Sequence, residues 1–289
     1  MLRYMAPAKI NPVLEVLGRR DDGYHEVRSL MQAVNLCDVL TFKLAEKVSF
    51  ECTEPSLQNT ENLVVKAAEL LRRVTGYSRG ASIKLEKCIP WGTGLGGGSS
   101  DAAATLLALN ELWDTRLEIS ELLPLAAKLG SDVPFFIYGG TALTEGRGEK
   151  VTPLHPISGW FVILVPPLSE MGSKTKQLYS LLNTLHYTEG LFVDEAVETL
   201  SRLEQVRSPL LFNVFDNVAF DAFNRLKDWW GQFEETGATN IHLAGSGPAM
   251  FASVESQTRA EELCDRLRRQ RLKAYAVSAL KSWRKWLPR

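Results

Sequence analysis

The 289-residue chain holds four cysteines, Cys37, Cys52, Cys88 and Cys264, and they stand far apart. They form no Cys-x-x-Cys pair and no zinc spacing, which excludes a metal ribbon and predicts buried free thiols in a reducing compartment. No run of about 18 apolar residues occurs, so no membrane span is expected. Met1 to Pro7 lack the apolar core of a signal peptide, and the expected location is the cytoplasm. Neither sign of charge is in excess. A formal net charge of −1 gives no reason to expect nucleic acid or an anionic membrane as partner. Internal repeats and low-complexity tracts are also lacking. What remains is a composition of 45% apolar and 23% charged residues, ordinary for a globular protein of one large or two medium domains. Small molecules are the expected partners, and the expected state is a monomer or homodimer.

Glycine, by contrast, is concentrated. Five glycines fall between Gly92 and Gly98, within Pro90-Trp91-Gly92-Thr93-Gly94-Leu95-Gly96-Gly97-Gly98-Ser99-Ser100. An alanine-rich helical run, Ala102 to Leu112, follows directly. Glycine lets backbone N–H groups approach a ligand closely. Ser99, Ser100 and Asp101 suit a helix start, whose unpaired donors and positive dipole end favour a phosphate. The stretch therefore reads as a strand, a loop and a helix N-terminus that hold a polyphosphate. It is not a Walker A loop, because no Gly-Lys-Ser/Thr closes it. It is not a dinucleotide turn either, because it lies about 90 residues into the chain and lacks an acidic ribose partner on a following strand.

The rest of the chain alternates strand and helix patterns. Strands are expected at 13–18, 30–34, 38–44, 49–52, 81–87, 160–165 and 272–278, and helices at 62–73, 102–112, 119–129, 176–182 and 258–270. Residues 149–159, with two prolines and a glycine, read as a domain boundary. Several residues stand out within this frame. Lys9 and Asn11 lie near the start of the first strand, where Lys9 is either a solvated lysine or a functional one. Asp22-Gly23 signals a turn that puts Tyr24 and His25 at its edge, as a binding pair or as an edge aromatic and a surface histidine. Asp132 lies between a helix end and an apolar run, where a capping role and a catalytic role are both open. Gly245-Ser246-Gly247 forms a second glycine turn between apolar strands. Tyr179, at a helical position, is either core or part of a pocket.

Read together, these segments resemble the GHMP kinases. Pro90 to Ser100 is similar to the Pro-x-x-x-Gly-Leu-Gly-Ser-Ser loop of that superfamily. The longer form Gly94 to Ser100, together with Arg20-x-Asp22-Gly23-Tyr24-His25, resembles its diphosphocytidyl-methylerythritol kinase branch. Pro7-Ala8-Lys9-Ile10-Asn11, Gly130-Ser131-Asp132-Val133-Pro134 and Gly245-Ser246-Gly247 match further family motifs in the same order. The resemblance implies an α+β, two-domain GHMP kinase fold. A mixed α/β domain would span residues 1–152, a domain of antiparallel sheet and helices residues 153–289, and the active site would lie in the cleft between them. It implies ATP and Mg²⁺ as cofactors and a diphosphocytidyl alcohol as substrate. Lys9 and Asp132 would be catalytic, with Asp132 as the base. Pro90, Trp91, Gly92, Thr93, Gly94, Leu95, Gly96, Gly97, Gly98, Ser99 and Ser100 would hold the nucleotide. Asn11, Tyr24, His25, Thr175, Tyr179, Gly245, Ser246 and Gly247 would line the substrate site. The magnesium ligands are not implied, and Ser99 or Ser100 is the candidate hydroxyl. Two departures stand out. Pro166-Pro167 replaces the family's proline-glycine, and Asn213-Val214-Phe215-Asp216 replaces Asn-Asp-Leu-Glu in a segment read as packing. Competing readings are a homoserine- or mevalonate-type kinase, opposed by Tyr24-His25, and a non-catalytic nucleotide binder, opposed by Lys9 and Asp132.

Overall fold

The computed structural model describes residues 1–167, 175–202 and 210–282. Its framework is an antiparallel ribbon of two long strands, β1 (Leu2–Arg19) and β2 (His25–Ala45). The sequence pattern divides this ribbon into three shorter strands, because Pro7 and Pro12 interrupt the alternation of the first strand and Asn35 and Cys37 that of the second. The ribbon absorbs these residues at register shifts between Pro7 and Ala8 and between Ile10 and Val13. An irregular ladder does not require the N–H that proline lacks. As a result Lys9 and Asn11 lie in mid-strand and project from the same face.

The two halves of β2 have different outer partners. Val27 to Gln32 pair with β5 (Thr141–Gly146), which continues to β6 (Lys150–Pro153). Val39 to Ala45 pair with β4 (Gly80–Glu86), which is flanked in parallel by β3 (Ser49–Cys52). One face of this sheet is covered by α1 (Leu63–Thr75), α2 (Gly97–Leu112), α3 (Ile119–Leu129) and α4 (Val133–Tyr138). Of these, α2 is central. Ala102, Ala103, Ala104, Leu106, Ala108 and Leu109 are all fully buried, so the helix is apolar nearly all round and its alanines let neighbours approach closely.

The second sheet is antiparallel, in the order β11 (Lys273–Ser278), β7 (Trp160–Val165), β10 (Met250–Val254) and β9 (His242–Leu243). It packs against α5 (Thr175–Leu181), α7 (Ala219–Ala222), α8 (Leu226–Glu235) and α9 (Gln257–Arg269). The remaining helix, α6 (Leu191–Ser201), lies on the ribbon, where the buried Glu15 carboxylate accepts from the Val193 N–H at 2.8 Å. Two features join the halves. Short β8 (Phe212–Asn213) pairs in parallel with Val13 and Leu14 of β1, and the Leu280 N–H donates to the Ala33 carbonyl at 2.8 Å. No helix among the described residues is long and apolar enough to cross a membrane.

Candidate active site

The glycine stretch forms a loop that turns into α2 earlier than its hydroxyl residues suggest. Gly96, at φ 74°, occupies the N-cap, and the helix begins at Gly97. Ser99, Ser100 and Asp101 therefore lie inside the first turns instead of capping them. Gly92, Gly94 and Gly96 take positive φ, whereas Gly97 and Gly98 are helical. At Gly96 a side chain is excluded by space as well, since a Cβ would lie 2.9 Å from both Lys9 Cγ and Phe136 Cζ. A glycine cap leaves the first-turn N–H groups open to a ligand at the positive end of a 16-residue helix. Beneath this turn is a cluster that the sequence pattern did not reveal. Lys87 Nζ lies 2.5 Å from Asp38 and 3.0 Å from Asp101, all three side chains being buried. Asp38 also accepts from the Cys88 and Ile89 N–H groups, which fixes the entry to the loop. Burial pushes the Asp101 carboxyl well above its ordinary range, with Lys87 opposing the shift.

Lys9 stands under the loop, and its own N–H donates to the Leu95 carbonyl at 2.9 Å. Its ammonium donates to Asn11 Oδ1 at 2.6 Å and lies 3.9 Å from Asp132 Oδ2. Asn11 is held in turn by Ser29, to which its amide donates at 2.8 Å. Burial lowers the Lys9 pKa, and the Asp132 carboxylate opposes that shift. Asp132 occupies the N-cap position of α4 but accepts no capping hydrogen bond, so the local alternative of a capping aspartate is not realised. Its carboxylate is about a third exposed and faces Lys9.

The second glycine turn meets the first from the other half of the chain. Gly245 takes φ 78°, and a Cβ there would lie 2.4 Å from Lys9 Nζ and 3.1 Å from Asn11 Oδ1. A Cβ on Gly94 would lie 2.3 Å from the Ala244 carbonyl, and one on Gly247 would lie 2.1 Å from the Thr93 carbonyl. The two turns thus touch backbone to backbone, and the Ala249 N–H donates to the Thr93 carbonyl at 3.1 Å. Asn213 and Asp216, read from sequence as packing, hold this turn in place. The Asn213 amide donates to the Leu243 and Gly245 carbonyls, both at 2.9 Å. Asp216 accepts from the Leu243 N–H at 3.0 Å and pairs with His242 Nδ1 at 2.8 Å.

A second group of side chains lies in the same cleft. The Asp22 carboxylate accepts from the Tyr24 N–H at 3.1 Å and shapes the turn that leaves the Tyr24 ring half exposed. The His25 ring is 5.0 Å from Tyr179 and 6.1 Å from Tyr187. Tyr179 also packs edge-on against Phe215 at 4.8 Å, so it is at once core and pocket wall. Burial, and then the Arg19 charge, lower the His25 pKa, which leaves the ring neutral near pH 7 with one donor and one acceptor nitrogen. Burial raises the Tyr179 phenol, and the Asp132 charge adds to the shift.

Lys9, Asn11, Asp132, Thr93, Gly94, Gly96, Gly245 and Gly247 therefore converge, while His25 packs with Tyr179 and Tyr24 lies against Arg147. Pro90 and Trp91 face a cavity of about 370 Å³ on the flank of the loop, together with Lys87, Pro166, Pro167 and Arg271. The double proline thus lines this cavity. Thr175 opens α5, but its side chain lies outside the described residues. Among the described residues no group of three or more His, Cys, Asp or Glu side chains is arranged to hold a metal.

Comparison with known proteins adds relatives to this geometry. Residues 62–140 match the family model described as GHMP kinases N terminal domain, and residues 192–274 match GHMP kinases C terminal. The chain is 43% identical over 281 residues to a protein named 4-diphosphocytidyl-2-C-methyl-D-erythritol kinase from Dehalococcoides mccartyi, covering 97% of this chain and 99% of that protein. A protein of the same name from Gloeobacter violaceus is 36% identical over 271 residues, or 91% and 89% of the two chains. A crystal structure described as 4-(cytidine 5'-diphospho)-2C-methyl-D-erythritol kinase superposes with a TM-score of 0.82 at 35% identity, over 96% of this chain and 99% of that one. Homoserine kinase from Cytophaga hutchinsonii shares the fold, with a TM-score of 0.73 at 20% identity over 98% and 95% of the two chains.

Proposed function

The chain belongs to the GHMP kinases and, among them, to the 4-diphosphocytidyl-2-C-methyl-D-erythritol kinases, and on that footing we propose how its residues divide the work of phosphoryl transfer. The reaction moves the γ-phosphoryl group of ATP to the tertiary 2-hydroxyl of the diphosphocytidyl alcohol, a step of non-mevalonate isoprenoid precursor synthesis, and releases ADP. Such a transfer depends mainly on alignment and on neutralising charge. The observation that carries the assignment is the Lys9–Asp132 pair, held 3.9 Å apart where the two glycine turns meet.

In this reading the first turn of α2 holds the ATP phosphates through its N–H groups. Asp132 accepts the proton of the substrate hydroxyl as the oxygen attacks phosphorus. Lys9, fixed by Asn11 at 2.6 Å, holds the Asp132 carboxylate in place and stabilises charge on the transferring group. Tyr24 stacks on the cytosine, His25 reads its edge, and Tyr179 closes the far side. Ser246 flanks the acceptor site, and Thr175 borders the cytidine pocket.

Mg²⁺ fits this site. Ser100 Oγ is buried in the first turn of α2 without a hydrogen-bond partner among the described residues. Mg²⁺ that travels with a triphosphate needs only one or two protein oxygens. Ser99 or Ser100 would hold it, and bound there it would neutralise phosphate charge. We place the domain boundary at 152/153, between the last two residues of β6 and before the chain crosses to β7. The cytoplasm, where ATP is available, suits the enzyme.

The test is ADP release, followed by a coupled assay with 4-diphosphocytidyl-2-C-methyl-D-erythritol, homoserine and mevalonate. The first should turn over and the others should not. Asp132→Asn should lower kcat by about 10²–10⁴-fold while binding a non-hydrolysable ATP analogue normally. Turnover of homoserine or mevalonate, or near-normal kcat in the variant, would overturn the assignment.

A further inference from the structure

Arg147, in the stretch Gly139 to Glu149 and given no role above, lies between the two groups of site residues. It belongs to the turn joining β5 to β6. There its N–H donates to Glu149 Oε2 at 2.7 Å, and its guanidinium lies 4.9 Å from the centre of the Tyr24 ring. The next residue, Gly148, reaches the other group, since a Cβ there would lie 3.9 Å from Asp132 Oδ1. One short turn therefore spans from the ring that stacks the base to the carboxylate that takes the proton.

The charges around this turn are unbalanced. Asp22, Glu149 and Asp132 contribute three carboxylates. Lys9 is committed to Asn11 and Asp132, and Arg20 to Asp22 and Glu26. Arg28 is engaged by Glu145 and Asp194. Arg147 has one described ion pair, Nε to Glu149 Oε2, and at 3.8 Å it is beyond hydrogen-bond reach. Its side chain is also about a third exposed. A planar guanidinium with free donors suits bidentate contact with phosphate oxygens.

We propose that Arg147 binds the diphosphate bridge of the substrate, so that the enzyme discriminates a cytidine diphosphate from a cytidine. The inference rests on the reading that Tyr24 and His25 hold the cytosine. A base stacked there and a reacting hydroxyl at Asp132 require the intervening diphosphate to cross the span occupied by Arg147. Arg147 offers that doubly charged group a cation whose guanidinium makes no close carboxylate hydrogen bond among the described residues.

The test is calorimetric titration of the full-length protein, Arg147→Met and Arg147→Lys with cytidine and with CDP, supported by steady-state kinetics. Wild type should bind CDP more tightly than cytidine. Arg147→Met should lose about 10–100-fold in CDP affinity, the range expected for a charge-assisted hydrogen bond, and leave cytidine affinity nearly unchanged. KM for the diphosphocytidyl substrate should rise by a similar factor while KM for ATP stays constant. Arg147→Lys, which keeps the charge without the fork, should fall between. Unchanged CDP affinity in Arg147→Met would overturn the proposal. Equal weakening of cytidine and CDP would overturn it as well, because Arg147 would then only brace the Tyr24 ring. If wild type binds neither compound, the cytosine pocket itself is wrongly placed, and the proposal falls with it.

Discussion

Replacing Gly245 by alanine adds one methyl group against the Lys9 ammonium. Its Cβ would lie 2.4 Å from Lys9 Nζ, 3.1 Å from Asn11 Oδ1 and 3.3 Å from the Gly94 carbonyl. Lys9 must retreat by about 1 Å to reach ordinary contact, and Asn11 and Gly94 hem in its path. A displacement of about 1 Å in a positioned group can cost on the order of 10²-fold in rate. The left-handed backbone at φ 78° adds about 1–2 kcal/mol of strain for any residue with a Cβ, which should lower Tm by about 2–8 °C. The expected outcome is a kcat about 100-fold lower in the ADP-release assay, with affinity for a non-hydrolysable ATP analogue nearly intact. Gly76→Ala is the control. Gly76 also takes positive φ, at 68°, but nothing lies within 4 Å of its Cβ. It should show a similar Tm shift without loss of turnover. A Gly245→Ala enzyme with normal kcat, or equal losses of kcat in both variants, would refute the role given to Lys9.

Two more predictions follow from groups around this point. Asn213→Ala leaves the Leu243 and Gly245 carbonyls without their donor and should cost about 1–3 kcal/mol for each stranded group, lowering both Tm and kcat. A fall in Tm with kcat unchanged would show that the turn does not depend on Asn213. His25, held below its ordinary value of 6.5, is neutral near pH 7 and gains a proton only as the pH falls through that lowered value. KM for the diphosphocytidyl substrate should therefore rise on acidification, with its midpoint below 6.5 and with KM for ATP level. The same shift makes folding less favourable as pH falls from the ordinary value towards the lowered one, since the unfolded chain takes up the proton first. A substrate KM that is flat across this range would remove His25 from base recognition.

The main site was legible because its signals are local. A glycine-dense loop before an alanine-rich helix announces itself without knowledge of the fold, whereas local chemistry leaves Lys9 and Asp132 open and only their family motifs single them out. Serine and aspartate are good caps in general, so the pattern predicts a later start for α2 than the observed one, where a cap with a Cβ would collide with Lys9 and Phe136. Two prolines hide an 18-residue strand from its alternation pattern, so the sequence puts Lys9 near a strand start and the fold puts it in mid-strand. Asn213, Asp216, Arg147 and the buried Lys87 cluster share a different reason. The partners that tie them to the site lie between 14 and 123 residues away in sequence, and pairing over such distances leaves no periodic trace. Tyr179 remained ambiguous from sequence because both readings hold, with one ring touching Phe215 and His25.

The contact between the two glycine turns also limits how this enzyme can be altered. A side chain at Gly94 would meet the Ala244 carbonyl and the Gly247 backbone, and one at Gly247 would meet the Thr93 carbonyl and the Gly94 nitrogen. In each case the obstacle is main chain, common to every amino acid. A damaging substitution at either glycine should therefore have no second-site suppressor among the residues it strikes, because trimming their side chains frees no space. A screen for revertants of Gly94→Ala should return glycine at position 94 and leave residues 244 and 247 as they are.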